Sequence, residues 1–316
     1  MANILGVLGI VFSIAPALIW VERRMLALWQ DRAGPNRVGP LGIFQPVADA
    51  VKLIFKEDWI PPFADRLLFV LAPTIIVVSI LKSFMIVPCT PDMVILDLNI
   101  CLLFSLGMSS LGAYSLVLGG WASNSKYSLI GAMRGASQMI TYEVFLGLSL
   151  MGIVMMSGSL SLREIVLAQK DGWYIIPQFL GFFLFLVAAL AESHRLPFDQ
   201  PESESELGAG FHSEYSGMKF GMFFLGEYMG IVLISALITT FFFGGWLPPI
   251  NAAWTKVIPP LFWFLGKTSV FILLFILFRA SIPRPRYDQL LGYGWKIMLP
   301  LALLNLMVTA AIMLLT

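Results

Sequence analysis

The 316-residue chain predicts an all-α fold: a polytopic membrane protein of about eight transmembrane helices plus one interfacial amphipathic helix. Three observations lead there. Hydrophobic residues make up 58% of the chain and charged residues 12%, with a mean hydropathy of +0.85, which is the composition of a bilayer protein rather than a soluble domain. Apolar runs recur at the length a bilayer requires, roughly 20 residues. Lysine and arginine gather in alternate connections between those runs.

Eight runs qualify as spans, at about 2–21, 67–88, 98–119, 135–157, 173–191, 220–244, 257–278 and 297–315. The connections 22–66, 120–134, 192–219 and 279–296 together hold fifteen Lys and Arg, while 89–97, 158–172 and 245–256 hold three. Retention of positive charge on the cytoplasmic side then makes the first set cytoplasmic loops and puts both termini outside. In a bacterium this is a multi-pass protein of the inner (plasma) membrane with periplasmic termini. The first basic residues are Arg23 and Arg24, after the first apolar run rather than before it, so that run reads as a retained span and not a cleaved signal peptide.

Within the first connection, ERRMLALWQDRAGPNRVGP ends in Gly/Pro punctuation that breaks regular helix. LGIFQPVADAVKLIFKEDW follows, with Val47, Val51, Ile54 and Phe55 on one helical face and Asp49, Lys52 and Lys56 elsewhere, the pattern of a helix lying in the membrane interface. SLREIVLAQKDGW reads as a second short helix of that kind. No repeat, low-complexity tract or long linker divides the chain, so 1–316 reads as a single integral membrane domain.

Several cofactor classes are set aside at this level. Cys89 and Cys101 lack ligand-type spacing, so no iron–sulfur or zinc site is expected, and a disulfide between them stays open. Two histidines, His194 and His212, are too few to hold two bis-histidine haems. No metal site and no nucleic-acid partner is expected; any redox cofactor belongs on a partner.

Four ionisable residues fall inside the expected spans: Lys82, Glu143, Glu227 and Lys267. Each costs about 2.5–3.5 kcal/mol at a helix centre on insertion scales, so each needs a partner or water. The lysines can snorkel to an interface. The glutamates are too short for that, although Tyr142 and Tyr228 could cap them. Acid is concentrated in DQPESESELGAGFHSEYSG, with Asp199, Glu202, Glu204, Glu206 and Glu214 and no Lys or Arg. In a helical turn Glu202 and Glu206 would share a face, and repulsion plus desolvation would raise their pKa values. A solvated acidic run is the bland alternative. Against it stands the alignment of Glu192 at the end of the fifth span, Glu214 at the start of the sixth and Glu227 further in, a graded set of carboxylates that suits a proton relay. His194 reads as a packed loop histidine.

The segments ERRMLALWQDRAGPNRVGP, FKEDWIPPFADRLLFVLAP, GWASNSKYSLIGAMR, ESHRLPFDQPESESELGAGFHSEYSGMKFGMFFLGEY and RASIPRPRYDQLLGYGWK closely resemble the NuoH-type, quinone-site membrane subunits of respiratory complex I, the proton-pumping NADH:quinone oxidoreductase. The resemblance runs from about Glu22 to the carboxyl terminus. The amino terminus is shorter than in the family pattern, so the first span is expected to be tilted or barely long enough. The resemblance implies a translocase subunit that bridges membrane and soluble arms and forms a quinone tunnel, with no complete catalytic centre of its own. Quinone would be the substrate. No group would be covalently bound, and FMN and iron–sulfur clusters would sit on partner subunits: soluble quinone-module subunits carrying the terminal cluster, small membrane subunits and antiporter-like subunits, all among membrane lipids.

By matching motif, the resemblance implies that Arg23, Arg24, Arg32, Pro35, Arg37, Trp59, Phe63, Asp65, Arg66, Phe198 and Asp199 lie near the tunnel or its mouth. It also makes Glu143, Glu192, Glu202, Glu204, Glu206, Glu214 and Glu227 the carboxylates of a relay. The residues themselves leave alternatives. The arginines suit acidic partner surface or lipid phosphate equally, Trp59 and Phe63 suit interfacial anchoring, and Gly34 and Pro35 suit a turn. An autonomous cation or proton transporter, or a purely structural bridge between the two arms, are the competing functional classes. Related membrane-bound hydrogenases and dehydrogenases share such a subunit, with the electron donor set by other chains; RASIPRPRYDQL favours the NADH branch by resemblance.

Overall fold

Apolar composition and helix-forming runs produce helices throughout. The computed structural model describes residues 2–91, 93–249, 255 and 257–315, apart from the side chains of 2–5, 7, 8, 204 and 205. The elements are α1 (Ala2–Trp29), α2 (Gln45–Phe55), α3 (Arg66–Phe84), α4 (Cys101–Ala122), α5 (Lys126–Ser157), α6 (Leu162–Ala168), α7 (Phe179–Glu192), α8 (Glu204–Leu207), α9 (Gly217–Phe242), α10 (Pro260–Ser281), α11 (Tyr287–Tyr293) and α12 (Leu299–Leu315). Among the described residues there is no strand, and six helical stretches are long and apolar enough to cross a membrane: α3, α4, α5, α9, α10 and the run from α11 through a π-helical turn to α12. With the 28-residue α1 and the apolar α7 they account for the eight expected runs.

Boundaries differ in places, for physical reasons. Helix α1 does not stop at residue 21 but carries Arg23 and Arg24 on to Trp29, because nothing breaks it before the Gly/Pro-rich stretch that follows. Helix α5 starts at Lys126 and so absorbs most of the expected connection 120–134. The fifth run is helical over only 14 residues, about 21 Å at 1.5 Å per residue, because Pro177 disfavours helical backbone in the residue before it and keeps the helix from reaching back to 173. The irregular backbone before it is satisfied inside the protein: Ile175 N–H donates to the Phe242 carbonyl at 3.1 Å, and the Gln169 side-chain carbonyl accepts from Tyr174 N–H at 3.3 Å and Gly244 N–H at 2.9 Å. Such backbone is tolerated among apolar helices only where protein partners replace water. Helix α6, expected at the interface, buries Leu162, Ile165 and Val166 completely. Cys89 and Cys101 are both free thiols.

Helix α9 is the hub, with 67% of its most apolar stretch buried against 22% for the α11–α12 run. Helices α3, α4, α5 and α7 pack in succession beside it, α1 and α10 lie against it, and α12 leans on α5 and α7. The helices approach closely where small residues meet: a Cβ on Gly120 of α4 would stand 2.3 Å from the Ala132 Cβ of α5.

The connections cluster at two ends. At one, Ala122 accepts from Asp65 N–H at 3.1 Å, the Asn124 amide donates to the Phe63 carbonyl at 3.3 Å, and Lys219 meets Asp58 at 2.5 Å. At the other, Leu102 N–H donates to the Leu160 carbonyl and Arg163 pairs with Asp97 at 3.5 Å. This grouping matches the alternation of charge-rich and charge-poor connections. Lys82 lies in the last turn of α3 and is exposed, as snorkelling requires. Lys267 does otherwise: its ammonium donates to the carbonyls of Phe243 at 2.6 Å, Gly245 at 3.1 Å and Leu247 at 2.6 Å, and lies 4.8 Å from the Trp173 ring centroid. It thereby satisfies the open carbonyls beyond α9 and complements the helix dipole.

Replacing Lys267 by Met should cost about 1–3 kcal/mol for each buried carbonyl left without a donor. The expected result is a lower thermal midpoint of the detergent-solubilised protein than for Lys267→Arg; equal midpoints for Met and wild type would show that the clamp contributes nothing.

Candidate functional site

The acidic stretch is packed into the bundle and is not a solvated loop. Gly131 and Gly135 on α5 make the seat, since a Cβ at either would stand 2.8 Å from Pro201, and Gly210, at φ +58°, passes so close that its own Cβ would meet the Pro201 carbonyl oxygen at 1.9 Å. Phe211 N–H donates to that same carbonyl at 3.2 Å. The Gln138 amide of α5 donates to the carbonyls of Ala191 at 2.8 Å and Phe198 at 2.7 Å, fixing the start of the loop. From the far side of the loop, Gln200 donates to the Pro285 carbonyl at 2.9 Å and Arg284 pairs with Asp199 at 2.5 Å. Tyr215 stacks on Phe69 of α3 at 4.0 Å.

This packing turns the loop's carboxylates in different directions. The shared face expected for Glu202 and Glu206 is not formed, because the chain turns at Pro201–Ser203 and the short helix α8 starts only at Glu204. Glu206 points out, in an ion pair with Arg134, and is exposed. Glu202 turns in and hydrogen-bonds Glu227 of α9. Two carboxyl groups can share a hydrogen bond only if one holds a proton. Burial pushes the Glu202 pKa well above the usual range, and Glu227 pushes it further, against the pull of His212 and Arg195. Asp199 is pushed up to about 7, first by burial and then by Glu202, against Arg284. Glu214 is half-buried; the Glu204 side chain lies outside the described residues.

Beneath the loop, α3, α4, α5, α7 and α9 enclose a cavity of about 90 Å³. Its wall is mostly apolar, with Leu233, Ile234 and Phe241 at depth, but Glu192, His194 and Glu227 line it together with Ser79, Ser83, Ser105, Ser109 and Ser193. A cavity of this size with convergent polar groups has room for several waters. On the α4 side, the Ser109 hydroxyl lies 3.5 Å from Glu143 of α5, and the Ser110 hydroxyl donates to the same carboxylate oxygen. The capping groups of Glu143 are therefore these serines and not Tyr142, whose hydroxyl donates instead to the Leu290 carbonyl at 3.1 Å. Glu192 and Glu227 thus line one internal space, with Glu143 joined to it through Ser109 and Glu202 through Glu227.

Sequence reasoning missed the cations that make this burial tolerable. Arg195 is 7% exposed and stands 3.9 Å from Glu227 and 3.5 Å from Glu22, with its guanidinium 4.2 Å over the Tyr228 ring. Glu22, 2% exposed, also pairs with Arg279 of α10. The sequence carried a signal for this: a glutamate at the end of an apolar run and an arginine beside the acidic loop, both with opposite charge available. What it lacked was the contact between segments 173 residues apart.

The eleven residues assigned to the tunnel divide. Arg23, paired with Asp49 at 2.8 Å, Arg32, hydrogen-bonded to Gln30 at 2.8 Å, Arg37, Trp59, Phe63 and Arg66 are exposed at the acidic-loop end. Arg24 donates to the carbonyls of Pro35 at 3.3 Å and Leu41 at 3.0 Å and so braces the Gly/Pro turn. Asp65 caps α3, accepting from Leu67 N–H at 3.1 Å and Leu68 N–H at 3.3 Å. Phe198 is buried edge-on against Tyr142 at 5.4 Å, beside Asp199. Among the described residues none of the eleven lines the cavity. Exposed beside this group is one face of α2, carrying Val47, Val51, Ile54 and Phe55.

Fold and site together define a class: a polytopic helical membrane protein with carboxylates and a buried arginine around an internal cavity. The family model for NADH dehydrogenase matches residues 2–310. The H subunit of the NADH-quinone oxidoreductase of Methylococcus capsulatus (strain Bath) is 60% identical over 311 residues, covering 98% of this chain and 96% of that protein. The chain belongs to the NADH dehydrogenase family, as a membrane component of an NADH-quinone oxidoreductase complex.

Two outcomes follow from the charge arrangement. Arg195→Met leaves Glu22 short of one partner and removes the cation facing Glu227, and breaking a buried pair costs about 3–5 kcal/mol; thermal melting of the purified complex should reveal it, and an unchanged melt would count against the pairing. The Asp199 carboxyl, its pKa raised in the fold, favours the native state while protonated, and that contribution is lost as pH rises through about 7. Infrared difference spectroscopy should show a carboxyl band titrating near that pH and missing from Asp199→Asn.

Proposed function

We propose that this subunit couples quinone reduction to proton translocation through its internal carboxylates. The path runs from Glu202 to Glu227, across the cavity to Glu192, and through Ser109 to Glu143. The observation that carries this reading is that one cavity touches Glu192 and Glu227, while Glu227 bonds Glu202 and the cavity-lining Ser109 reaches Glu143. Carboxyl groups in such surroundings hold or release protons according to small changes in nearby charge; a shift of two pKa units is worth about 2.7 kcal/mol, a hundredfold in occupancy. Quinone arriving near Phe198 and Asp199 and reduced there would change that charge. Exposed Glu206 and half-buried Glu214, with Glu204, stand at the loop end of the path.

Quinone would reach the loop past the exposed Arg23, Arg32, Arg37, Trp59, Phe63 and Arg66, beside the apolar face of α2, with Arg24, Pro35 and Asp65 shaping that rim. FMN and iron–sulfur clusters would sit on soluble partner subunits docked at this end, with small membrane and antiporter-like subunits alongside the helices. The charge alternation supports placement in the bacterial inner membrane with the acidic-loop end cytoplasmic and both termini periplasmic.

Glu143→Gln and Glu227→Gln keep shape and hydrogen-bonding capacity but hold no exchangeable carboxyl proton. In the assembled complex in proteoliposomes each should lower NADH-driven proton pumping and coupled quinone reduction by about a hundredfold, the usual scale for loss of a proton-transfer group. Assembled variants that pump at the wild-type rate would overturn the relay.

A further inference from the structure

The carboxylate relay leaves one titratable group on the cavity wall without a task. His194 follows α7 in the sequence Glu192-Ser193-His194-Arg195, and its side chain lines the cavity with Glu192 and Glu227. It is 7% exposed, and its Nδ1 has no hydrogen-bond partner among the described residues; neither does the buried Oε2 of Glu192. An orphaned polar atom of this kind is destabilising unless something reaches it, and here two of them belong to side chains that line one cavity. The backbone at His194 is left-handed, with φ 50°, a conformation in which histidine, asparagine and aspartate are enriched among residues with a side chain.

We infer that His194 is a proton-carrying residue between Glu227 and Glu192, working as a neutral imidazole through water in the cavity. A carboxyl O–H on one side breaks as a proton reaches one ring nitrogen; the N–H of the other ring nitrogen breaks as its proton passes to the carboxylate on the far side. The imidazole ends neutral with its tautomer exchanged, and a ring flip or the return transfer resets it. Burial lowers the His194 pKa to about 4, so the ring is uncharged at neutral pH and keeps one accepting nitrogen, as such a transfer needs. The charged and titratable groups around it are Glu192 from α7, Glu227 from α9 and Arg195 next in the loop, with Glu143 of α5 reached through Ser109.

This inference rests on the relay of Glu227 and Glu192, and the experiment separates the two. In the assembled complex in proteoliposomes, pumping is compared for wild type, Glu227→Gln, His194→Asn and His194→Gly. Asparagine tolerates φ 50° and hydrogen-bonds but offers no two-nitrogen exchange; glycine accepts the conformation and opens space for free imidazole. The expected results are about a tenfold or greater loss of pumping in both His194 variants, a larger solvent isotope effect, and recovery of the glycine variant with added imidazole. Wild-type pumping in His194→Asn, with Glu227→Gln inactive, overturns the role of His194 and leaves the relay standing. Loss in both His194 variants with no imidazole recovery assigns the residue a structural role and overturns the inference. Wild-type pumping in Glu227→Gln removes the relay itself.

Discussion

Charge buried among apolar helices is the constraint around which the molecule is organised. A carboxylate taken out of water must find a cation, a donor or a proton, because solvation by hydrocarbon offers nothing in return. Three inward acids meet that demand, each in a different way. Glu22 is held by two arginines, Glu143 by two serine hydroxyls, Glu227 by Arg195 and by the carboxyl of Glu202. Only the last arrangement requires a proton to be shared between acids, and it occurs where the loop meets the central helix. The chemistry of the site is therefore a consequence of how its charges were buried.

The same constraint explains the loop's construction. A stretch with four glutamates and an aspartate between residues 199 and 214 would drift into solvent if left to itself. It is held in by neutral contacts: glycines on α5 that let Pro201 approach, amide side chains that take up its carbonyls, and aromatic rings at Phe198, Phe211 and Tyr215 that are nearly fully buried. Desolvation is then imposed on Glu202 by packing that does not depend on its charge, and on Asp199 by the same packing together with Arg284. Their raised proton affinities are stable features of the fold, open to change by whatever charge appears beside them.

The opposite end follows a different design. There Gln169 and Lys267 each bridge several backbone groups left open where helices stop early, around Tyr174 and beyond Phe242. These side chains stand in for the missing helix turns, so the bundle stays closed where its chain is irregular. Titratable carboxylates converge at one end and rigid polar staples at the other, with the apolar part of the cavity between.

Composition and spacing alone were enough to establish helices crossing a bilayer, the alternation of charged and uncharged connections, the amphipathic α2 and the carboxylates that do not belong in hydrocarbon. Those properties are local: they need only a run of about twenty residues or a period of 3.6 to be visible. Local reading failed where a long-range partner decided the outcome. It put Glu202 and Glu206 on one face, let Tyr142 cap Glu143, started α7 too early and passed over Glu22 and Arg195. The tertiary structure settled these because an ion pair or a cavity wall joins residues far apart in the chain, as Arg195 and Glu22 are, and the direction in which a buried charge turns depends on which distant group can receive it.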